Sequence, residues 1–140
     1  MPSILIDTGP LVAYFDRSDH FAGWTRQILV GLRPPLLTCE AVVLETCYLL
    51  QRTRMDAGLP LRLIKSGFVI VDFVMQQEAQ RLGELMRRYR NIPMSIADAC
   101  LVRMAELHPD STVLTLDSDF LIYRKHDREP LSLLIPNRKP

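Results

Sequence analysis

A chain of 140 residues, 48% apolar and 24% charged, is long enough to bury one core and too short for two, so residues 1–140 are expected to form a single domain. That composition excludes disorder, and a formal net charge of +1 excludes nucleic-acid binding by overall basicity, leaving only a local patch for such a role. No stretch approaches the roughly 20 apolar residues of a membrane span, and Met1-Pro2-Ser3 lacks the basic-then-apolar start of a signal peptide, so the expectation is a cytoplasmic protein with no membrane partner.

Residues 3–7 read as a buried strand whose polar end opens into Thr8-Gly9-Pro10; Pro10 suits the first turn of a helix that continues over 11–15. Ser18 or Asp19 is the expected cap of a second helix reaching about Leu32, stopped by Arg33-Pro34-Pro35. Residues 36–38 form a second strand, Thr38 or Cys39 begins an apolar helix to about Thr53, and 59–66 is a further helix. Residues 68–74, β-branched and aromatic, make a third strand, and 76–89 an amphipathic helix with Ala79, Leu82, Leu85 and Met86 on one stripe. After a break at Pro93, residues 95–107 are apolar on most sides and should pack centrally. Residues 112–116 are a fourth strand, 120–123 a short helix and 132–135 a last strand. Strands alternating with helices predict an α/β three-layer sandwich, its central, mostly parallel sheet of four to five strands flanked by helices.

Four carboxylates occupy positions where apolar residues would be expected. Asp7 ends Ile4-Leu5-Ile6, Glu45 interrupts Ala41-Val42-Val43-Leu44, Asp98 lies within Ser95-Ile96-Ala97-Asp98-Ala99-Cys100, and Asp117 closes Val113-Leu114-Thr115-Leu116. A carboxylate in apolar surroundings is costly unless a cation or hydrogen bonds compensate it, so four together point to a divalent cation. In open parallel sheets the ligand crevice lies beyond the carboxyl ends of the strands, where Asp7 and Asp117 sit. Glu45 shares a helical stripe with Ala41, Val42 and Leu49 and is expected to point where its helix packs. Asp98, near the start of its helix, is favoured by the macrodipole. The three cysteines and three histidines are dispersed, without zinc spacing, so the expected ligands are oxygens.

Each acid also has a purely structural reading. Asp98 with Ser95 makes a capping box, Asp117 and Asp119 can cap the short helix at Phe120, Asp7 can bond its own backbone in a turn, and Glu45 can snorkel or pair with an Arg. Arg87, Arg88 and Arg90 complement a helix C-terminus, whereas Arg124 and Lys125, nearer the acids in sequence, are the candidates for nucleic-acid contact. Phe21 and Trp24 are expected to bury one face of their helix rather than stack bases. A dehalogenase-type phosphatase would need a second Asp two residues after Asp7, where Gly9 stands, and Asp7-Thr8-Gly9-Pro10 is not a glycine-rich phosphate loop.

The succession Ile-Asp-Thr, then a helical Glu, then Ser-Ile-Ala-Asp-Ala, then Thr-Leu-Asp-Ser-Asp-Phe resembles the PIN domain, especially the VapC-type toxins of bacteria and archaea, over nearly the whole chain. The resemblance implies a ribonuclease dependent on Mg²⁺ or Mn²⁺, with Asp7, Glu45, Asp98 and Asp117 as catalytic metal ligands. It makes Asp119 a further acid at the metal, and Thr8 and Thr115 supporting hydroxyls beside the first and last acids. It also implies RNA as substrate, an antitoxin as protein partner, and a homodimer. An RNA-processing nuclease without toxin role and an inactive interaction module are the alternatives; loss of one or more acids is the usual sign of the latter, and all four are present. Cys39 departs from the family pattern, standing where a small hydroxyl residue is common after Thr38.

Overall fold

The computed structural model describes residues 2–137. In chain order its elements are β1 (Ile4–Ile6), α1 (Thr8–Phe15), α2 (Ala22–Val30), β2 (Leu36–Thr38), α3 (Glu40–Arg52), α4 (Leu59–Ser66), β3 (Val69–Val71), α5 (Met75–Arg88), α6 (Ile96–Leu107), β4 (Thr112–Leu114), a 3₁₀ turn (Ser118–Leu121), β5 (Arg124–Lys125), β6 (Glu129–Pro130) and β7 (Leu133–Leu134). One sheet runs β3-β2-β1-β4-β7 with every pairing parallel, and helices flank it, as the alternating pattern predicts. Strands covered on both faces must be apolar throughout, and Leu5, Ile6, Val113 and Leu114 at the sheet centre are fully buried. The chain leaves β1 toward β2 and β3, then returns to lay β4 on the other flank of β1. The β1–β4 junction is therefore where the strand order reverses, the place where such sheets open a crevice at their carboxyl ends.

The strands are shorter than their apolar runs because a strand extends only as far as its neighbour. β3 ends at Val71, where Thr38 of β2 runs out of register, and Val74 is exposed at the start of α5. The second helix starts later than expected. Ser18 turns its hydroxyl to Asp16, and Asp19 spends its carboxylate on the Phe21 N–H at 2.9 Å, so the helix proper opens at Ala22. The 3₁₀ turn starts two residues before the helix expected at Phe120, because the Asp117 side chain accepts the Asp119 N–H at 2.9 Å. The central packing expected of 95–107 is observed: α6 buries eight residues and lies against β1 and β4.

The antiparallel hairpin β5–β6 is not visible in the sequence pattern. Its turn holds His126 and Asp127 at positive φ (50° and 63°) without a glycine. A buried charge network anchors it. Glu106, its side chain fully buried, receives both arms of Arg81 (3.1 and 2.8 Å), one arm of Arg103 (3.1 Å) and the His126 N–H (2.7 Å), while Arg81 also reaches Asp127 at 2.9 Å.

Candidate active site

Asp7 stands one residue past β1 and caps α1. One carboxylate oxygen accepts the Thr8 N–H (2.7 Å) and the other the Thr115 hydroxyl (2.7 Å), whose oxygen in turn accepts the Asp117 N–H (3.0 Å). The Asp7 N–H bonds to Leu114 O, so the two central strands deliver Asp7, Thr115 and Asp117 side by side. Asp98 enters from α6. Its N–H is capped by Ser95 Oγ at 3.1 Å, and its carboxylate accepts the Tyr123 hydroxyl at 2.8 Å. The capping box is thus real, as is the capping by Asp117, and neither prevents these carboxylates from lining the cleft.

Asp7, Glu45, Asp98 and Asp117, carried by four separate segments, line one cleft of about 330 Å³ together with Thr8, Gly9, Val12, Asp19, Phe21, Leu49 and Leu116. Glu45 gets there differently from the stripe expected. The buried face of α3 is Val42, Thr46 and Leu50; Glu45 is exposed at its margin, with no hydrogen-bond or ion-pair partner among the described residues. Asp119 stands beside Asp117 but does not line the cleft. Arg124 and Lys125, the sequence candidates for RNA contact, are not in it. Arg124 turns back onto the carbonyls of Leu121, Ile122 and Tyr123, and Lys125 onto that of Pro109, because the hairpin points both toward their own backbone surroundings.

One lining residue, Asp19, and one residue behind the cleft, Tyr123, have roles that no sequence pattern shows. Asp19 lies in a turn whose approach to the sheet depends on how α1 and α2 pack, which no local pattern reports. Tyr123 gave no sign that its hydroxyl would reach Asp98; the ring is packed edge-on against Tyr89 and Phe120.

The electrostatics are those of an uncompensated acidic site. Burial pushes the Asp7 carboxyl up to about 7, the charges of Asp98 and Asp117 adding to the effect and the bonds from Thr115 and Thr8 opposing it. Burial also raises Asp98, with Asp117 contributing, against the Tyr123 and Ser95 bonds. Slight burial and the neighbouring Asp117 raise Asp119, and burial together with Asp98 raises the Tyr123 hydroxyl. No Lys, Arg or His lines the cleft among the described residues. The donor set suits an oxygen-loving divalent cation, and the Thr8 hydroxyl, buried on the cleft wall, has no hydrogen-bond partner among the described residues. Among the described residues no three acids already close into a ligand cage, so water or substrate oxygens would complete the shell of an ion held here, as Mg²⁺ prefers.

Residues 4–125 match the family model for the PIN domain. Ribonuclease VapC26 of Mycobacterium tuberculosis (strain ATCC 25618 / H37Rv) is 29% identical over 116 residues, covering 81% of this chain and 86% of that protein. The crystal structure of Mycobacterium tuberculosis VapC20, described as a Sarcin-Ricin loop cleaving toxin, superposes with a TM-score of 0.73 at 22% identity, covering 84% of this chain and 92% of that one, a likeness of fold.

Proposed function

Because the chain belongs to the PIN domain family, we propose that it is a metal-dependent endoribonuclease that hydrolyses RNA phosphodiesters and serves as the toxin of a toxin–antitoxin pair. The observation that carries the reading is the cleft itself: Asp7, Glu45, Asp98 and Asp117 from four segments at the β1–β4 reversal, with Asp19 as a fifth acid and no cationic side chain among the lining residues. Charge of one sign gathered in a cleft is stable only with a counter-charge, and a cation between carboxylates and a phosphate supplies it.

Asp7, Glu45, Asp98 and Asp117 are the residues that would hold Mg²⁺ or Mn²⁺, with Asp119 close by and Thr8 offering its unpartnered hydroxyl. When bound, the ion supplies Lewis acidity toward a water and the scissile phosphate. The chain's own contribution is orientation. Thr115 and the Thr8 N–H fix both oxygens of Asp7, Tyr123 fixes Asp98, and Glu45 reaches in from an exposed helix margin where it can adjust to a ligand. Asp7 ionises only at about neutral pH unless a cation favours its charged form, so cation binding should release a proton and tighten as pH rises.

The test is incubation of the purified protein with structured and unstructured RNAs in Mg²⁺, Mn²⁺ or EDTA. Cleavage that requires the metal is expected, and Asp7→Asn with Asp98→Asn should abolish Mn²⁺ binding; RNA left intact under every condition would overturn the reading. The toxin role brings an antitoxin partner, for which an Arg entering the cleft would match the carboxylates bidentately. An exposed apolar groove of about 660 Å³, lined by Leu44, Leu61, Ile64 and Met75 among others, supports a protein contact, whether with antitoxin or with a second copy in a homodimer. In a cytoplasmic setting, expression alone should arrest growth and co-expression with the antitoxin should restore it. Growth unimpaired by an active enzyme would favour RNA processing.

A further inference from the structure

The cleft contains more than its chemistry needs. Beside the acids it is lined by Val12, Phe21, Leu49 and Leu116, drawn from α1, the start of α2, α3 and the segment after β4. None of the four belongs to the hydrophobic core cluster or to the partly buried residues packed against it. Trp24, one turn further along α2 than Phe21, does pack against that core. The two aromatics expected to share one buried face therefore separate, Trp24 toward the core and Phe21 toward the acids.

Phe21 is held firmly. Its N–H donates to Asp19 (2.9 Å), its carbonyl accepts the Thr25 N–H (2.9 Å), and its half-buried ring packs edge-on against His20 at 4.8 Å. Leu116 is seated with similar care. A Cβ at Gly9 would come within 3.2 Å of Leu116 Cβ and Cδ1, so the glycine lets this side chain lie against the start of α1. Four apolar side chains beside carboxylates, Phe21 and Leu116 held in place, suit a ligand that is charged at one end and flat and apolar at the other. A nucleotide has that polarity: its phosphate belongs with the acids and any cation, its base with the apolar wall.

Resting on the ribonuclease reading above, we infer that Phe21, with Val12, Leu49 and Leu116, is a shelf on which one unpaired nucleobase stacks while the adjoining phosphodiester sits among the acids. Phe21 is then a substrate-binding residue of the site. At about 330 Å³ the cleft is at the small end of ligand pockets and takes one splayed nucleotide, not a stacked duplex. Recognition by the base face is tolerant of base identity, since every base has a π-face.

The experiment compares wild type with Phe21→Ala, Phe21→Leu and Phe21→Trp in Mg²⁺ on three substrates: an unpaired oligoribonucleotide with a mapped cut, that strand annealed to its complement, and that strand with an abasic site beside the cut. Phe21→Ala and Phe21→Leu should raise KM for the unpaired strand about tenfold or more with kcat little changed, and Phe21→Trp should keep the wild-type KM. The annealed strand should resist cleavage, and on the abasic strand wild type and Phe21→Ala should become equal. An equal loss by Phe21→Ala on the intact and abasic strands would make Phe21 structural and overturn the shelf, as would no loss on either. Should Phe21→Ala not fold, the contrast between Leu and Trp carries the same test. If wild type cuts RNA and Phe21→Ala and Phe21→Leu cut it with an unchanged KM, the shelf alone fails; if wild type cuts none, the ribonuclease reading fails and takes the shelf with it.

Discussion

Helix α6 carries a charged cluster at each end, and the two are built on opposite principles. At its C-terminal end Glu106 is fully buried, and although burial alone would raise its carboxyl, Arg81, the His126 N–H and Arg103 outweigh it and hold it below the ordinary range. At its N-terminal end Asp98 shares a cleft with Asp7, Glu45 and Asp117, and both Asp7 and Asp98 are pushed upward. A buried charge with every partner in place is part of the architecture; buried charges of one sign with none supplied by the chain are waiting for a ligand. Burial of a carboxylate is therefore not the mark of a site. The absence of an internal counter-charge is the better one.

The sharpest break in this contrast is Glu106→Gln, which strands Arg81 beside a neutral amide. It should lower the unfolding free energy by about 3 kcal/mol in urea titration, far more than any acid of the cleft. A loss below 1 kcal/mol would mean that the network is ornamental. Next comes Glu45→Gln, which leaves the exposed face of α3 unchanged while removing one negative charge from the cleft. RNA cleavage should fall at least about a hundredfold, equivalent to ~3 kcal/mol of transition-state stabilisation, with the melting temperature unmoved. Near wild-type cleavage in limiting Mg²⁺ would remove Glu45 from the site.

Smaller still is Asp7→Asn in EDTA at pH 8, expected to leave stability unchanged or raise it by about 1 kcal/mol, since relief of desolvation and repulsion is offset in part by a poorer match to the Thr115 hydroxyl. The pH dependence gives its signature. With its folded pKa raised from 3.8 to about 7, Asp7 holds its proton longer in the folded than in the unfolded state, so the metal-free protein should lose stability as pH rises from about 4 through about 7. Asp7→Asn should flatten that slope in thermal scans. A large loss of stability on substitution would instead make Asp7 a turn residue. The exposed pair Arg62–Asp56, 3.7 Å apart, sets the floor: Arg62→Ala should shift stability by no more than about 0.5 kcal/mol.

Much of the architecture is legible in the residues because its signals are local. The apolar runs ending in Asp7 and near Asp117, the interruption at Pro93 and the all-round apolarity of 95–107 each report one element, and the parallel sheet follows from their alternation. What escapes is set by partners distant in the chain. β3 is cut short by β2, and the hairpin β5–β6 exists because Glu106, twenty residues earlier, grips the His126 N–H. The two helical glutamates are the most instructive pair. An apolar helix interrupted by Glu describes Glu45 and Glu106 equally well, yet Glu45 is the exposed one and Glu106 the buried one. Arg81, on another helix, decides between them, and no stripe on α6 announces it. Asp19 and Phe21 fall to the cleft for a similar reason, through the packing of α2 on α1.

The sheet order also has a consequence for synthesis. β1 is made before every other strand of the sheet, yet it occupies the middle of it, and the hydroxyl that fixes Asp7 belongs to Thr115, 108 positions later. A nascent chain that extends only to residue 100 lacks β4 and Thr115, and with them the lining residues Leu116 and Asp117. The proposed nuclease is thereby kept from assembling its cutting edge while it is still tethered beside the message and the ribosomal RNA, and becomes competent only after β4 and Asp117 have emerged.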